Sequence, residues 1–428
     1  MSLLVYMLNL LLLGALVWGM RRQQWAQAIK PFFFPALLFK MVCGVLLGWL
    51  YTYYYQSGDT TTYHYASITL SDYAVGNPAA YLRLLFLNEF ESEAFRATIP
   101  FSSFPGFSNS FYFIKLLSVL NFLTFSSYYL NAFYISLFSF WGVGRLAAVL
   151  MQAPGKVPNA GVVAFLFFPS VVFWSAGLSK DALMFGSMCW VIAFALDVAH
   201  GYRVSFWQIL LLPVLLYIFV KIKLFFAAVT LPLLLLYILV KRGATVIPAL
   251  RRPSAQLAIY GFTCASGLVL VYMLQKFLPV AFLLEQSAHN YNALLERSLH
   301  GPHMVLENLE PTIKSMVVHF PEALLSAIYR PFIGEAWEPL YILIGLENLL
   351  LLLLTGMAAA SLFKNTGIKI EVLHVLLLLL VLLLGGIVGL TTPNFGSLSR
   401  YRIVFLPFLV YLLLQNRFAQ RLLRRVGL

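Results

Sequence analysis

The apolar run PFFFPALLFKMVCGVLLGWLYTYY, residues 31–54, decides the fold of this chain. Lys40 is its only charged residue, and about 20 apolar residues in a helix are enough to cross the hydrocarbon core of a bilayer. Similar runs recur along the chain, which is 61% hydrophobic and only 11% charged. A soluble protein of 428 residues cannot bury that much apolar surface. The sequence therefore predicts a polytopic integral membrane protein.

The pattern of apolar runs predicts an all-α transmembrane helical bundle of about 11 spans, which forms a single integral membrane domain over residues 1–428. The predicted spans are residues 3–20, 31–54, 129–150, 160–175, 181–199, 204–220, 224–240, 256–279, 340–360, 372–390 and 402–416. Residues 1–20 lack the basic start and the small-residue cleavage site of a signal peptide, and this favours a retained span.

The positions of Lys and Arg predict the orientation of the chain. We place the short aromatic segment 111–126 on the membrane surface, since a crossing there would invert every later loop. One side of the membrane then receives the cations Arg21, Arg22, Lys30, Lys156, Arg203, Lys241, Arg242, Arg251, Arg252, Lys364, Lys369, Arg417, Arg421, Arg424 and Arg425. The positive-inside rule assigns that side to the cytoplasm. The N-terminus is then outside and the C-terminus cytoplasmic, with a first outer loop at 56–128 that carries interfacial helices and a second outer loop at 281–338.

Composition also bears on partners. The net charge of +13 does not indicate nucleic-acid binding, because the cations cluster in short turns, where topology determinants and lipid headgroup contacts belong. The three cysteines lie inside apolar runs without metal-ligand spacing, so no disulfide framework is predicted. We interpret His300, His303 and His319 as surface histidines, because no cysteine or carboxylate supports them at a metal-ligand spacing. No cofactor and no metal are predicted.

The first polar segment after residues 31–54 is SGDTTTYHY, residues 57–65. Gly58 allows the chain to turn as it leaves the span, and Asp59 follows it at the membrane boundary. One interpretation is that Asp59 is the N-cap of a helix that starts near Thr61. The other is catalytic, because a partly desolvated carboxylate is suited to take a proton from a hydroxyl. Tyr63 and His64 are candidate contacts to a substrate.

The second polar element is FFPSVVFWSAGLSKDAL, residues 167–183, in which Pro169 interrupts a span. Lys180 and Asp181 stand between two apolar runs, where charges need neutralisation or a ligand. They form either an ordinary interfacial ion pair with a snorkelling lysine or a site at which Lys180 contacts a lipid phosphate.

Two further segments carry arginines on the predicted outer side. In IYRPFIGEAWEPL, residues 328–340, Arg330 and Glu335 are candidate binding residues, and Trp337 is either an interfacial anchor or a substrate contact. In TTPNFGSLSRYRIVFLPFL, residues 391–409, Arg400 and Arg402 run against the positive-inside tendency, which recognition of an anionic substrate would explain.

These features resemble the GT-C class of membrane glycosyltransferases, which take a sugar from a polyprenyl-phosphate or polyprenyl-diphosphate donor. The segments GDTTTYHYA, FPSVVFWSAGLSKDAL, YRPFIGEAWEP and NFGSLSRYR are also similar to segments of uncharacterised bacterial membrane proteins near surface-polysaccharide functions. The class often has a pair of acids in its first outer loop, whereas threonines follow Asp59 here.

The resemblance implies a multi-pass enzyme of the bacterial cytoplasmic membrane, with Asp59 as the base and direct displacement that inverts the sugar. Lys180, Arg330, Arg400 and Arg402 would contact the donor phosphate, and the acceptor would be a glycan, a lipid or a protein. Two alternatives remain open. One is an O-antigen-type polymerase or ligase, in which the last two arginines matter most, and the other is a flippase or transporter of an anionic lipid or solute.

Overall fold

The computed structural model describes residues 3–56, 58–152, 157, 159–275, 277, 280–299, 301–363 and 370–425. Ser57, Lys156, His300, Lys364 and Lys369, which entered the sequence predictions, lie outside the described residues. Within the described residues the chain is helical and has no β-strand, so the predicted all-α class is confirmed.

The helices run in the following order. They are α1 (Leu3–Arg21), α2 (Gln24–Ala28), α3 (Lys30–Trp49), α4 (Asp59–Gly76), α5 (Pro78–Leu87), α6 (Glu93–Thr98), α7 (Asn109–Thr124), α8 (Tyr128–Gln152), α9 (Ala160–Val162), α10 (Pro169–Trp174), α11 (Lys180–His200), α12 (Phe206–Ile222), α13 (Leu224–Val246), α14 (Pro253–Met273), α15 (Val280–Glu296), α16 (Ile313–Tyr329), α17 (Pro339–Phe363), α18 (Val372–Thr391), α19 (Phe395–Tyr401), α20 (Leu406–Leu413) and α21 (Arg417–Arg425). Single π turns extend α3 and α9, over Leu50–Tyr54 and Val163–Phe167. Short 3₁₀ turns follow α13 and α19, over Pro248–Arg251 and Arg402–Val404.

Eight helices of the described residues are long and apolar enough to cross a membrane, and each overlaps a predicted span. They are α1, α3 with its π turn, α8, α11, α13, α14, α17 and α18. Residues Phe395–Val404 and Leu406–Leu413 form a ninth if this pair, bent by 65°, counts as one span. These helices indicate a multi-pass membrane protein.

The predicted number of about 11 spans is not confirmed. The prediction at 160–175 corresponds to a broken helix, because Phe168 is extended between the π turn and α10, which starts at Pro169. The prediction at 204–220 corresponds to α12, which has 17 residues and is shorter than the eight spanning candidates. The disputed segment 111–126 forms α7, which is not among those eight. Residues 56–128 contain four helices, α4 to α7, and are helical as expected.

The chain divides into two compact units, and their boundaries fall inside helices. The first unit comprises Met1–Ala148, Val172–Val191 and Trp207–Phe225. The second unit comprises Val149–Val171, Ile192–Phe206 and Phe226–Leu428.

In the first unit, α4 and α7 pack through a buried polar network. Asn121 Nδ2 donates to Ser67 Oγ at 3.0 Å, and Asn121 Oδ1 accepts from Asn131 Nδ2 at 2.7 Å. Thr124 Oγ1 in turn donates to Asn131 Oδ1 at 2.6 Å. Hydrogen bonds among buried amides and hydroxyls fix one arrangement of the helices, because breaking any of them leaves a polar group unsatisfied. This network holds α4 in place, and α4 begins with Asp59.

In the second unit, α16 crosses α18 at close range. A Cβ on Gly389 would lie 2.1 Å from the carbonyl oxygen of Ala323, and one on Gly386 would meet the ring of Phe320. Only glycine allows the two backbones to approach this closely, as is common where membrane helices cross. The predicted second outer loop, 281–338, therefore contains two helices, α15 and α16, and the second of them is anchored on a spanning candidate.

Candidate functional site

Asp59 is the first residue of α4 and is half-buried. Gly58 precedes it with φ +137°, and a Cβ at that position would lie 2.7 Å from the ring of Tyr51, so glycine is required. The hydroxyls of Thr61 and Thr62 donate to the carbonyl oxygen of Gly58 at 2.9 and 3.0 Å. The helix thus starts two residues before the predicted Thr61, with Gly58 rather than Asp59 at the cap. The carboxylate of Asp59 lies in the first turn, where the helix dipole stabilises negative charge.

Lys180 is the best-defined cation of the first unit. Its Nζ donates to Ser110 Oγ at 2.8 Å and to Asn109 Oδ1 at 3.1 Å, both at the start of α7. The ammonium also lies 5.5 Å from the centre of the Tyr63 ring, and the Tyr63 hydroxyl is 3.2 Å from Ser110 Oγ. Tyr63 is itself buried, at 1% exposure, so its ring holds Lys180 in place.

The start of α11 places Lys180 and Asp181 together. Ser179 Oγ accepts a hydrogen bond from the Ala182 backbone N–H at 3.0 Å, as an N-cap residue does. Lys180 is half-buried, whereas Asp181 is buried in the first turn of the helix at 1% exposure. Of the two, Lys180 is the more accessible to a ligand.

His64 is buried beside Asp59 in the sequence. Its ring meets the Tyr128 ring edge-on at 5.3 Å, and its Nδ1 has no hydrogen-bond partner among the described residues. Burial lowers the pKa of His64 below its ordinary value, since charging the ring inside the protein is costly. His64 is therefore a neutral ring that packs against α8.

Lys40 lies inside α3 and is almost fully buried. Its Nζ donates to Ser139 Oγ at 3.0 Å and to Ser175 Oγ at 2.6 Å, so it bonds inside the bundle, as its apolar surroundings predict. These bonds connect α3 to the segment that leads into Lys180.

In the second unit, Arg330 forms an ion pair with Glu335. Arg330 Nε and Nη2 approach Glu335 Oε1 at 2.8 and 2.5 Å, and both side chains are partly exposed. Glu335 Oε2 accepts from the Phe332 backbone N–H at 2.7 Å, which closes the loop after α16. The guanidinium also lies 5.2 Å from the Phe395 ring. Arg330 is thus held firmly while one side remains accessible.

Arg402 is fully buried, at 0% exposure. Its Nη1 donates to Asn348 Oδ1 at 2.7 Å and to the carbonyl oxygen of Ile328 at 3.2 Å. Its Nη2 lies 3.9 Å from Glu347 Oε1, and Glu347 Oε2 accepts from the Ser170 backbone N–H at 2.8 Å. Sequence analysis predicted a contact of Arg402 with a donor phosphate, but all of these partners are protein groups. We assign Arg402 a positioning role.

Arg400 and Trp337 lie at the edges of the same unit. Arg400 is half-buried and stacks on the ring of Tyr401 at 5.3 Å. Trp337 is 76% exposed, as an interfacial anchor is.

The predicted site residues therefore form two groups. Asp59, Tyr63, His64, Lys180 and Asp181 belong to the first unit, and Arg330, Glu335, Trp337, Arg400 and Arg402 belong to the second. Within the first group, Lys180 contacts Tyr63, which lies one helical turn from Asp59. Within the second group, Arg330 pairs with Glu335. A single cavity that joins both groups stays a prediction.

Sequence reasoning missed four residues that hold these groups. Asn109 and Ser110 bind Lys180, and Glu347 and Asn348 face Arg402. A signal existed for Glu347, because an acid inside an apolar run requires a partner.

No metal-ligand cluster is found among the described residues, where no three His, Cys, Asp or Glu side chains could hold an ion together. His319 instead directs its ring nitrogens to the carbonyl oxygens of Ser315 and Glu307, both at 2.8 Å, and His303 Nδ1 lies 2.8 Å from the carbonyl oxygen of Gly301.

Comparison of the chain with known protein families, with curated proteins and with solved structures found no match. The likeness to GT-C enzymes therefore rests on the sequence segments alone.

Proposed function

We propose that the protein is an inverting membrane glycosyltransferase that moves a sugar from a polyprenyl-phosphate-linked donor to an acceptor hydroxyl. The proposal places the reaction at the outer face of a bacterial cytoplasmic membrane. It includes about 11 spans, with the N-terminus outside and the C-terminus in the cytoplasm, as the positive-inside rule favours.

One relationship carries the proposal. Asp59 and Tyr63 are separated by four residues on α4 and therefore lie on the same face of that helix. Lys180 sits over the Tyr63 ring and is held by Asn109 and Ser110. A carboxylate and a fixed ammonium thus line one side of α4, which is the pairing that a base and a phosphate contact require.

The chemistry follows from these two groups. The lipid tail of a donor stays in the bilayer while its phosphate lies at the surface. Lys180 would balance the negative charge that grows on the phosphate as the glycosidic bond breaks. Asp59 would take the proton of the acceptor hydroxyl as its oxygen attacks the sugar carbon from the opposite side, and this displacement inverts the configuration.

The arginines of the second unit have different assignments within the proposal. Arg330 and Arg400 are only partly buried and would add phosphate contacts. Arg402 would act through Asn348, whose Nδ2 donates to the carbonyl oxygen of Pro331 at 2.8 Å, directly after Arg330. Trp337 and Glu335 would contact the sugar or the acceptor.

The experiment compares purified Asp59→Asn with a matched control, Asp72→Asn, which lies exposed on the same helix. Both proteins are given labelled polyprenyl-phosphate sugars and the products are separated. We expect Asp59→Asn to fold and to lose transfer, and Asp72→Asn to keep it. Full transfer by Asp59→Asn would remove Asp59 as the base.

A second candidate function is transport of an anionic lipid or solute, favoured by one observation in the second unit. Glu347 and Arg402 form a buried charge pair beside two interrupted helices, one broken at Phe168 and one bent at Phe405. Interrupted helices around buried charges are typical of transporter sites. Uptake of a labelled substrate into proteoliposomes without a covalent product, lost in Arg402→Met, would favour transport over transfer.

A further inference from the structure

Two lysines that neither candidate function uses lie in the first unit. Lys115 on α7 donates from Nζ to the carbonyl oxygen of Leu85 at 2.8 Å and to Asn88 Oδ1 at 2.7 Å. Lys221 near the end of α12 donates to the carbonyl oxygen of Gly106. Both side chains are half-buried, and these partners are neutral oxygens.

The two lysines face the seam between α7 and α12. Asn109 Nδ2 donates to the carbonyl oxygen of Ile222 at 3.0 Å, and the rings of Tyr112 and Tyr217 meet edge-on at 5.7 Å. These contacts run in opposite directions along the two helices, so the helices are antiparallel. Lys115 follows Tyr112 by three residues and Lys221 follows Tyr217 by four, which puts each lysine on the seam side of its helix.

The electrostatics of this seam favour an anion. Burial and the charge of Lys221 lower the pKa of Lys115 to about 8. An ammonium has three N–H donors, so the hydrogen bonds within the described part of the chain leave one donor on Lys115 and two on Lys221. Two cations held near each other with spare donors are stabilised by an anion that accepts from both.

The loop that accepts from Lys221 is apolar at its tip. Phe104 and Phe107 flank Gly106 and are 74% and 89% exposed. Exposed rings next to cations are typical of a segment at the membrane boundary, where rings enter the acyl region and ammonium groups stay at the headgroups.

We propose that Lys115 and Lys221 form a binding site for a phosphate group that is separate from the Lys180 site. The ligand chemistry is a phosphate monoester, carried by a lipid headgroup or by a free anion. The exposed phenylalanines beside Gly106 would place a lipid's acyl chains next to this phosphate. The site does not depend on sugar transfer, so it can stand if the proposed function fails.

The test measures binding by titration calorimetry on the purified full-length protein in neutral detergent, at neutral pH, where Lys115 is protonated. One arm uses dihexanoyl phosphatidic acid and the other uses inorganic phosphate. The variants are Lys115→Gln, Lys221→Gln and their combination. We expect the double variant to weaken binding by about tenfold or more in at least one arm, because each lysine supplies a charge-assisted hydrogen bond. Loss in the first arm only assigns the site to lipid, and loss in both assigns it to phosphate from either source.

Two controls keep the test decisive. Lys223→Gln removes a charge two residues from Lys221 and should leave binding unchanged, and an equal loss there would show diffuse charge and overturn the site. Lys221→Arg keeps the charge and should keep binding, so it reports on the site if the double variant does not fold. If Lys115 serves only to cap the end of α5, Lys115→Gln will lower the unfolding temperature without changing phosphate affinity. That result, or the absence of binding in both arms, overturns the proposal.

Discussion

Asn348 Oδ1 accepts a hydrogen bond from Arg402 Nη1 at 2.7 Å, while Asn348 Nδ2 donates to the carbonyl oxygen of Pro331 at 2.8 Å. One fully buried amide thus joins the final apolar segment to the loop that carries Arg330. Because both ends of the amide are used, the position of the Arg330 loop depends on Asn348.

Replacing Asn348 by leucine should destabilise the protein. The change leaves Arg402 Nη1 short of one acceptor and the Pro331 carbonyl oxygen without its donor, and a buried unsatisfied group costs about 1–3 kcal/mol. Thermal unfolding followed by tryptophan fluorescence measures the loss. Leu349→Ala, at an exposed neighbouring position, is the control and should have little effect. An unchanged unfolding temperature for Asn348→Leu would show that the amide does not hold this loop.

The Glu347–Arg402 pair should show strong coupling in a double-mutant cycle. Arg402→Met alone leaves a buried carboxylate facing apolar groups, and breaking a buried pair costs about 3–5 kcal/mol. Glu347→Leu combined with Arg402→Met removes both charges and should recover much of that loss. If the two single effects simply add, the residues do not interact.

The fold was largely predictable because it depends on apolar run length. Each of the eight spanning candidates overlaps a run read from the sequence, and Pro169 breaks its helix as expected. The count was not predictable, since α12 is short and the last span bends by 65° at Phe405. Neither feature follows from hydropathy alone.

The candidate site was predictable in part. Lys180 stood out as a charge between apolar runs, but its partners Asn109 and Ser110 resemble an ordinary helix start and lie far from it in the sequence. Arg402 looked like a residue of the outer rim, and its burial depends on Glu347, which sits inside another predicted span. Pairings across such distances depend on how the helices pack, and periodicity carries no information about that.

Gly58→Ala should disturb the start of α4. The position has φ +137°, and a Cβ there would lie 2.7 Å from the Tyr51 ring, so we expect a loss of about 1–3 kcal/mol in stability. The same change should reduce sugar transfer, because Asp59 would shift with the helix start. Gly76→Ala at the other end of the helix has open space around it and serves as the control. Equal stability and transfer for the two variants would contradict the strained turn.

Ser110→Ala should impair transfer more than stability. Ser110 Oγ accepts from Lys180 and lies near the Tyr63 hydroxyl, so its loss frees the ammonium to move. We expect transfer to fall by about tenfold with a stability loss of about 1 kcal/mol. Ser118→Ala is a matched control on the same helix, since Ser118 Oγ contacts the Tyr81 hydroxyl at 2.8 Å but binds no lysine side chain. Similar transfer losses in both variants would exclude a specific role in placing Lys180.

The buried ring of His64 should make stability depend on pH in the acid range. Burial lowers the pKa of His64 in the folded protein below the value of 6.5 that it has when unfolded. Below about pH 6.5 the unfolded chain therefore binds a proton that the folded protein does not, so stability is complete above that pH and declines as the pH falls toward the lowered pKa. The groups that face the ring are the aromatic side chains of Tyr65 and Tyr128, which supply no counter-charge. Unfolding temperatures measured between about pH 7 and pH 5 for the wild type and His64→Phe should diverge, with the variant less sensitive to acid. Parallel curves for the two proteins would show that His64 does not titrate between the folded and unfolded states.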